Sequence, residues 1–187
     1  MERALGRLLR RVRAGDRHLA WNDPRFADAP ASLRLASAAF ADGGAMPTRF
    51  AGAGVGENVS PPLDWSGTPA GTSAFALIVE DPDAPAPRPI VQLLAVGVPA
   101  DCSGLREGAL SPASGAGIAF GRGLFGRLGY MGPRPVHGHG AHRYVFQLFA
   151  LSRPIAVGDR PDLAEVLAAM RGAVLARGKL VGLYERA

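Results

Sequence analysis

Phe75-Ala76-Leu77-Ile78-Val79-Glu80 runs directly into Asp81-Pro82-Asp83-Ala84-Pro85. The first part is a short apolar segment of the length and composition of a buried strand, and the prolines that follow cannot extend its hydrogen-bond ladder. Asp81 and Asp83, two apart on a backbone with little freedom to rearrange, project to the same side and can converge on one ligand. The same five residues also read as a proline-rich turn carrying solvated aspartates.

Working outward, Leu33, Leu35 and Phe40 suggest an edge strand before the Asp42-Gly43-Gly44 turn. Val91 to Val98 and Tyr144 to Leu151 are two further runs that suit strands, the second rich in the aromatic and β-branched residues that strands prefer. Pro161 suits a first helical position. Leu163, Val166, Leu167, Met170 and Val174 recur at helical spacings, and Gly178 stands where a helix would close, with a last strand over Lys179 to Tyr184. Twenty-five glycines and 16 prolines among 187 residues argue for turns and long connections. Residues 103–140 are the least regular stretch, with nine glycines between Gly104 and Gly132. The expected fold is mainly β: a two-sheet antiparallel β-sandwich with a C-terminal helix and an N-terminal helical arm.

The composition, 48% hydrophobic and 20% charged, supports a packed core. The chain divides into a basic arm, 1–32, and one domain, 33–187. Residues 1–25 hold seven arginines against Glu2, Asp16 and Asp23, so nearly all of the formal charge of +5 sits in the arm. The body lacks the basic stripe with interleaved aromatics that nucleic-acid binders use. Leu5, Leu8, Leu9 and Val12 make residues 2–13 a short basic amphipathic helix. Its leucines are expected to dock on the body or a second subunit; an anionic membrane surface is the less favoured partner. Cys102 stands alone, which excludes an intrachain disulfide and a cysteine-built zinc site. With no apolar run near the length of a membrane span, and arginines where a signal peptide needs apolar residues, the reading is a soluble, cytoplasmic protein.

His137, His139 and His142 invite a metal reading, with Asp81 or Asp83 completing a set suited to zinc or iron. Their spacing lacks helical register, and His137 and His139 can equally be solvated. No nucleophile elbow is present, and Gly52-Ala53-Gly54-Val55-Gly56 lacks the lysine and hydroxyl of a phosphate loop.

Asn58-Val59-Ser60-Pro61-Pro62-Leu63-Asp64-Trp65, then Asp81-Pro82-Asp83-Ala84-Pro85, then Gly132-Pro133-Arg134-Pro135 leading to His142-Arg143-Tyr144-Val145-Phe146 resemble, in order and spacing, the phosphatidylethanolamine-binding proteins, in their bacterial Raf-kinase-inhibitor-like branch. The likeness runs from about Leu33 to Tyr184. It implies a β-sandwich with a small anion-accepting pocket at one end, to which Asp81, Asp83, Pro85, Gly132, Pro133, His142, Tyr144 and Tyr184 contribute. In that picture His142 and backbone N–H groups donate to phosphate oxygens, while Asp81 or Asp83 receives an ammonium group or orients the histidine. One departure stands out: where the family carries a His-Trp pair, this chain reads Gln92-Leu93. An amide can donate a hydrogen bond but cannot become cationic, so neutral or weakly anionic guests are expected to bind better than phosphomonoesters. Val136 and His137 stand where relatives are more proline-rich, and an imidazole there would rejoin the pocket rim.

The resulting expectation is a non-catalytic protein that binds a small anionic or zwitterionic ligand without a cofactor, and that can pair as a homodimer. The alternatives are a metal-assisted hydrolase using Asp81, Asp83 and His142, or a protein-interaction module with a vestigial pocket.

Overall fold

The computed structural model describes residues 2–115 and 117–186. Among them are two α-helices, α1 (Glu2–Leu9) and α2 (Leu163–Ala169). The strands are β1 (Arg34–Ala36), β2 (Gly44–Ala45), β3 (Leu63–Ser66), β4 (Ala74–Asp81), β5 (Ile90–Pro99), β6 (Gly104–Leu105), β7 (Ala119–Phe120), β8 (His142–Leu151) and β9 (Val174–Tyr184). A small sheet has the order β1-β3-β6, and a large one β2-β9-β8-β4-β5-β7. The sheets are not strictly antiparallel as expected, because β2 joins the edge of β9 in parallel.

Alternation along β4 explains the layers. Phe75, Leu77 and Val79 face the small sheet and pack with Leu63, Trp65, Phe146 and Leu148 in the inter-sheet core. Ala76 and Ile78 face the other way, onto Val166 of α2 and Met170 at its end, and onto Ala20 and Phe26 of the arm. Every β4 residue is buried, so the strand reads as a continuous apolar run.

The expected C-terminal helix is shorter than its periodicity suggests. Asp162 caps α2 and forms a reciprocal capping box with Glu165, which places Pro161 before the helix and outside its first turn. The chain then turns at Gly172, and Val174 already pairs with β8. Gly178 lies mid-strand opposite Leu148, where the Leu33 main chain crosses it. Ten ladder partners on β8 outweigh a 4-residue apolar spacing.

The arm packs against the body throughout. Ala14 and Gly15 donate their N–H groups to Ala84 and Pro82, and Glu80 accepts from the Ala20 N–H at 2.8 Å. Arg177 of β9 reaches the carbonyls of Trp21 and Ala29. Helix α1 docks on the body, but not by Leu5 or Leu8. Gly6 is its buried residue, so close to the 137–139 loop that a Cβ would overlap the His137 carbonyl oxygen, while Leu5, Leu8 and Val12 point outward. No helix of the described residues is long and apolar enough to cross a membrane.

Candidate functional site

The end of β4, the start of β5 and the start of β8 meet the 124–136 loop around a cavity of about 480 Å³. Asp81 leaves β4 on the inner face. Its Oδ1 accepts the Asp83 N–H at 2.8 Å, closing the Asp-Pro-Asp turn on itself. Its Oδ2 accepts from His142 Nδ1 at 2.8 Å. His142, the first residue of β8, is 1% exposed.

His142 Nε2 is also engaged, lying 2.7 Å from Nδ1 of the fully buried His139. His139 Nε2 in turn faces the carbonyl oxygens of Leu9 at 2.8 Å and Val12 at 3.2 Å. The chain of contacts therefore ends on acceptors at both extremes, a carboxylate and two main-chain carbonyls. Which ring nitrogens donate along this chain depends on the tautomer of each imidazole. His142 has no ring nitrogen left to meet an anion or to act as a base.

Gln92 enters the site through a β-bulge. Val79 pairs with Leu93 and Glu80 with Val91, leaving Gln92 as the extra residue, and its side chain turns into the cavity. It is 6% exposed and its Oε1 has no hydrogen-bond partner. The Gln92 main chain is held by Met131, whose N–H donates to its carbonyl at 2.9 Å.

The 130–132 loop is fixed by Asn58, which adopts a left-handed backbone (φ 55°) that asparagine tolerates. Its amide donates to the Tyr130 carbonyl at 3.2 Å and accepts the Gly132 N–H at 2.9 Å. Gly132 cannot carry a side chain, since a Cβ would overlap the Phe50 carbonyl oxygen. Ile90, Leu128, Met131 and Val136 supply apolar wall, and the exposed Arg127 and Arg134 stand at the rim.

Of the residues the sequence nominated, Asp81, Pro85, Gln92, Gly132 and His142 line this cavity. Asp83, Pro133, Tyr144 and Tyr184 do not. Asp83 turns to the other side, where its carboxylate takes the backbone N–H and guanidinium of Arg143 at 2.8–2.9 Å and meets Arg13 at 3.0 Å. Burial alone would raise the Asp83 carboxyl, but these donors outweigh it and hold the group down at about 2. Its role is to bind the arm and β8 together. Tyr144 is buried in the inter-sheet core with its hydroxyl unpartnered, pushed up by burial and by the Asp81 charge. Tyr184 pairs with His142 across β9 and β8, half-buried. His137 stands outside the lining. The sequence does not single out Asn58, Arg127 or Met131 as site residues, although Asn58 opens the first family-like motif. Among the described residues no group of three or more histidines, cysteines or acids is assembled to hold a metal.

A model of the phosphatidylethanolamine-binding proteins matches residues 36–185. The chain belongs to that family. A protein of Methanothermobacter thermautotrophicus, named UPF0098 protein, is 40% identical over 157 residues, covering 82% of this chain and 99% of its own length. An Aquifex aeolicus protein of the same name is 37% identical over 132 residues, 70% of this chain and 77% of the relative. The crystal structure of Escherichia coli YbcL, described as a member of the mammalian phosphatidylethanolamine-binding family, superposes with a TM-score of 0.78 at 30% identity, covering 84% of this chain and all of YbcL. Within this phosphatidylethanolamine-binding domain the cavity lies among the three motif segments, and the arm that caps His139 precedes the matched residues.

Proposed function

We propose that the protein binds a small polar guest in the cavity between Asp81, Gln92 and the 130–136 loop and does not transform it. The observation that carries this reading is Gln92, a residue of the cavity lining whose side-chain Oε1 is buried and has no hydrogen-bond partner. A buried acceptor without a donor costs about 1–3 kcal/mol, which a ligand N–H or O–H recovers. The site therefore favours a guest with a donor at its inner end, such as an amine, amide or alcohol. An anionic group, if present, meets Arg127 and Arg134 at the rim. This reverses the orientation in which a phosphate would approach His142, whose two ring nitrogens are occupied. Apolar walls around the polar floor suit a ligand with a short hydrocarbon portion.

Titration with ethanolamine, phosphoethanolamine and inorganic phosphate, followed through the Gln92 side-chain amide by NMR, tests the reading. The amine-bearing compounds should shift that amide, and Gln92→Leu should weaken them about tenfold. Submicromolar binding of inorganic phosphate, or binding unaffected by Gln92→Leu, would overturn it.

A further inference from the structure

The arm carries an unspent surface. Leu8 is 79% exposed, Leu5 52% and Val12 49%; Leu5 and Leu8, three apart, share one face of α1, and Val12 is exposed just past the turn that follows it. The helix has little freedom to rotate and hide them. Gly6 is pressed onto the His137–His139 loop, the Gly138 backbone lies against Arg3, and His139 holds the carbonyls of Leu9 and Val12. The docking thus fixes the apolar stripe toward solvent.

Arginines surround it. Arg3, Arg7, Arg10 and Arg11 are all exposed; Arg3, Arg7 and Arg10 border a groove whose acidic member is Glu185. The remaining domain is close to neutral, so the positive charge is concentrated on α1 and the turn after it, where residues 2–13 hold five arginines against Glu2. An apolar stripe bordered by a one-sided excess of guanidinium groups is complementary to a surface that is anionic and has hydrocarbon beneath it.

We propose that α1 is a membrane-contacting element that lays Leu5, Leu8 and Val12 into the interface of an anionic lipid surface, with Arg7 and Arg11 meeting the head groups. Contact is reversible, since three side chains give little insertion and each arginine contributes about a fivefold gain near such a surface. Salt weakens the contact by screening the arginines.

Co-sedimentation of the full chain with vesicles of phosphatidylglycerol and phosphatidylcholine, compared with phosphatidylcholine alone, is the test. Binding should require phosphatidylglycerol, fall with added salt, and be lost in the Leu5→Ser/Leu8→Ser double variant, whose changed side chains lie outside the core. Arg7→Gln/Arg11→Gln should weaken it more than tenfold. Gln92→Leu should leave it intact, which separates failure of this surface from failure of the ligand pocket. Equal sedimentation with both vesicle types, retention by the double serine variant, or loss in Gln92→Leu would overturn the proposal. So would light scattering that shows a dimer broken by the serines, because the stripe would then be covered by a second copy.

Discussion

Glu80 and Gln147 lie side by side on the outer face of the large sheet, Gln147 Nε2 donating to Glu80 Oε2 at 2.8 Å, and between them they take the N–H groups of Ala20 and Trp21. Two fully buried polar side chains on neighbouring strands thus receive consecutive main-chain donors of the arm. Burial pushes the Glu80 carboxyl up to about 7, against the opposing pull of the Ala20 N–H and Gln147. Its folded state therefore holds a proton more tightly than the unfolded chain, whose glutamate titrates near 4.5. Stability is greatest below that unfolded value and falls as pH rises from about 4.5 through about 7, by up to about 3 kcal/mol. Thermal melts of Glu80→Gln should lack this decline, so the variant gains on the parent between pH 5 and pH 8. A parallel pH dependence in the two proteins would contradict the assignment.

The imidazole pair ties the arm to the start of β8, since His139 lies between His142 and the carbonyls of Leu9 and Val12. Replacing His139 with Phe keeps an aromatic ring there but removes the link between His142 and the Leu9 and Val12 carbonyls. Trypsin should then cut at Arg10, Arg11 and Arg13 faster than in the parent, and Gly6→Leu, which forces α1 off the loop, should have the same effect.

At Asp83 the sign is opposite to that at Glu80. Its carboxyl is held at about 2 in the fold against an ordinary 3.8, so the stabilisation is complete above the ordinary value and is lost as pH falls through about 2. The shift corresponds to about 2 kcal/mol, diminished by solvent at the half-exposed guanidiniums of Arg13 and Arg143. Asp83→Asn should cost about 1–2 kcal/mol in urea unfolding at pH 7 and little at pH 2. An equal cost at both values would show that geometry, not charge, holds the arm here.

Much of the sandwich is legible in apolar runs, because β4, β5 and β8 are long and buried and their residues say so. The rest depends on distant partners. β2 is two residues long and has no pattern of its own; it exists because β9 offers an edge. Val174 looked helical because α2 and β9 are separated by only a tight turn, so one apolar spacing runs across both. The site was half legible. Proline and glycine motifs locate Asp81, Gly132 and His142, but alternation across the Asp-Pro-Asp turn does not survive the prolines, and Asp83 departs to the other side. His139 could not be read as buried, since the groups that bury it lie about 130 residues earlier, in the arm. The leucines of α1 were expected to dock on the body or a second subunit; Leu5 and Leu8 do not reach the body, and only the close fit of Gly6 against the His137 carbonyl shows which way the helix is turned.

Glu80 and Asp81 are consecutive, yet one grips the arm at Ala20 on the outer face while the other anchors, on the inner face, the imidazole pair that ends on Leu9 and Val12. A fragment begun at Leu33 would keep the whole β-sandwich and lose the partners of both acids' networks at once. The border drawn by homology at residue 36 is thus not the border drawn by hydrogen bonds, and shortened versions of this chain are expected to report on a weakened molecule.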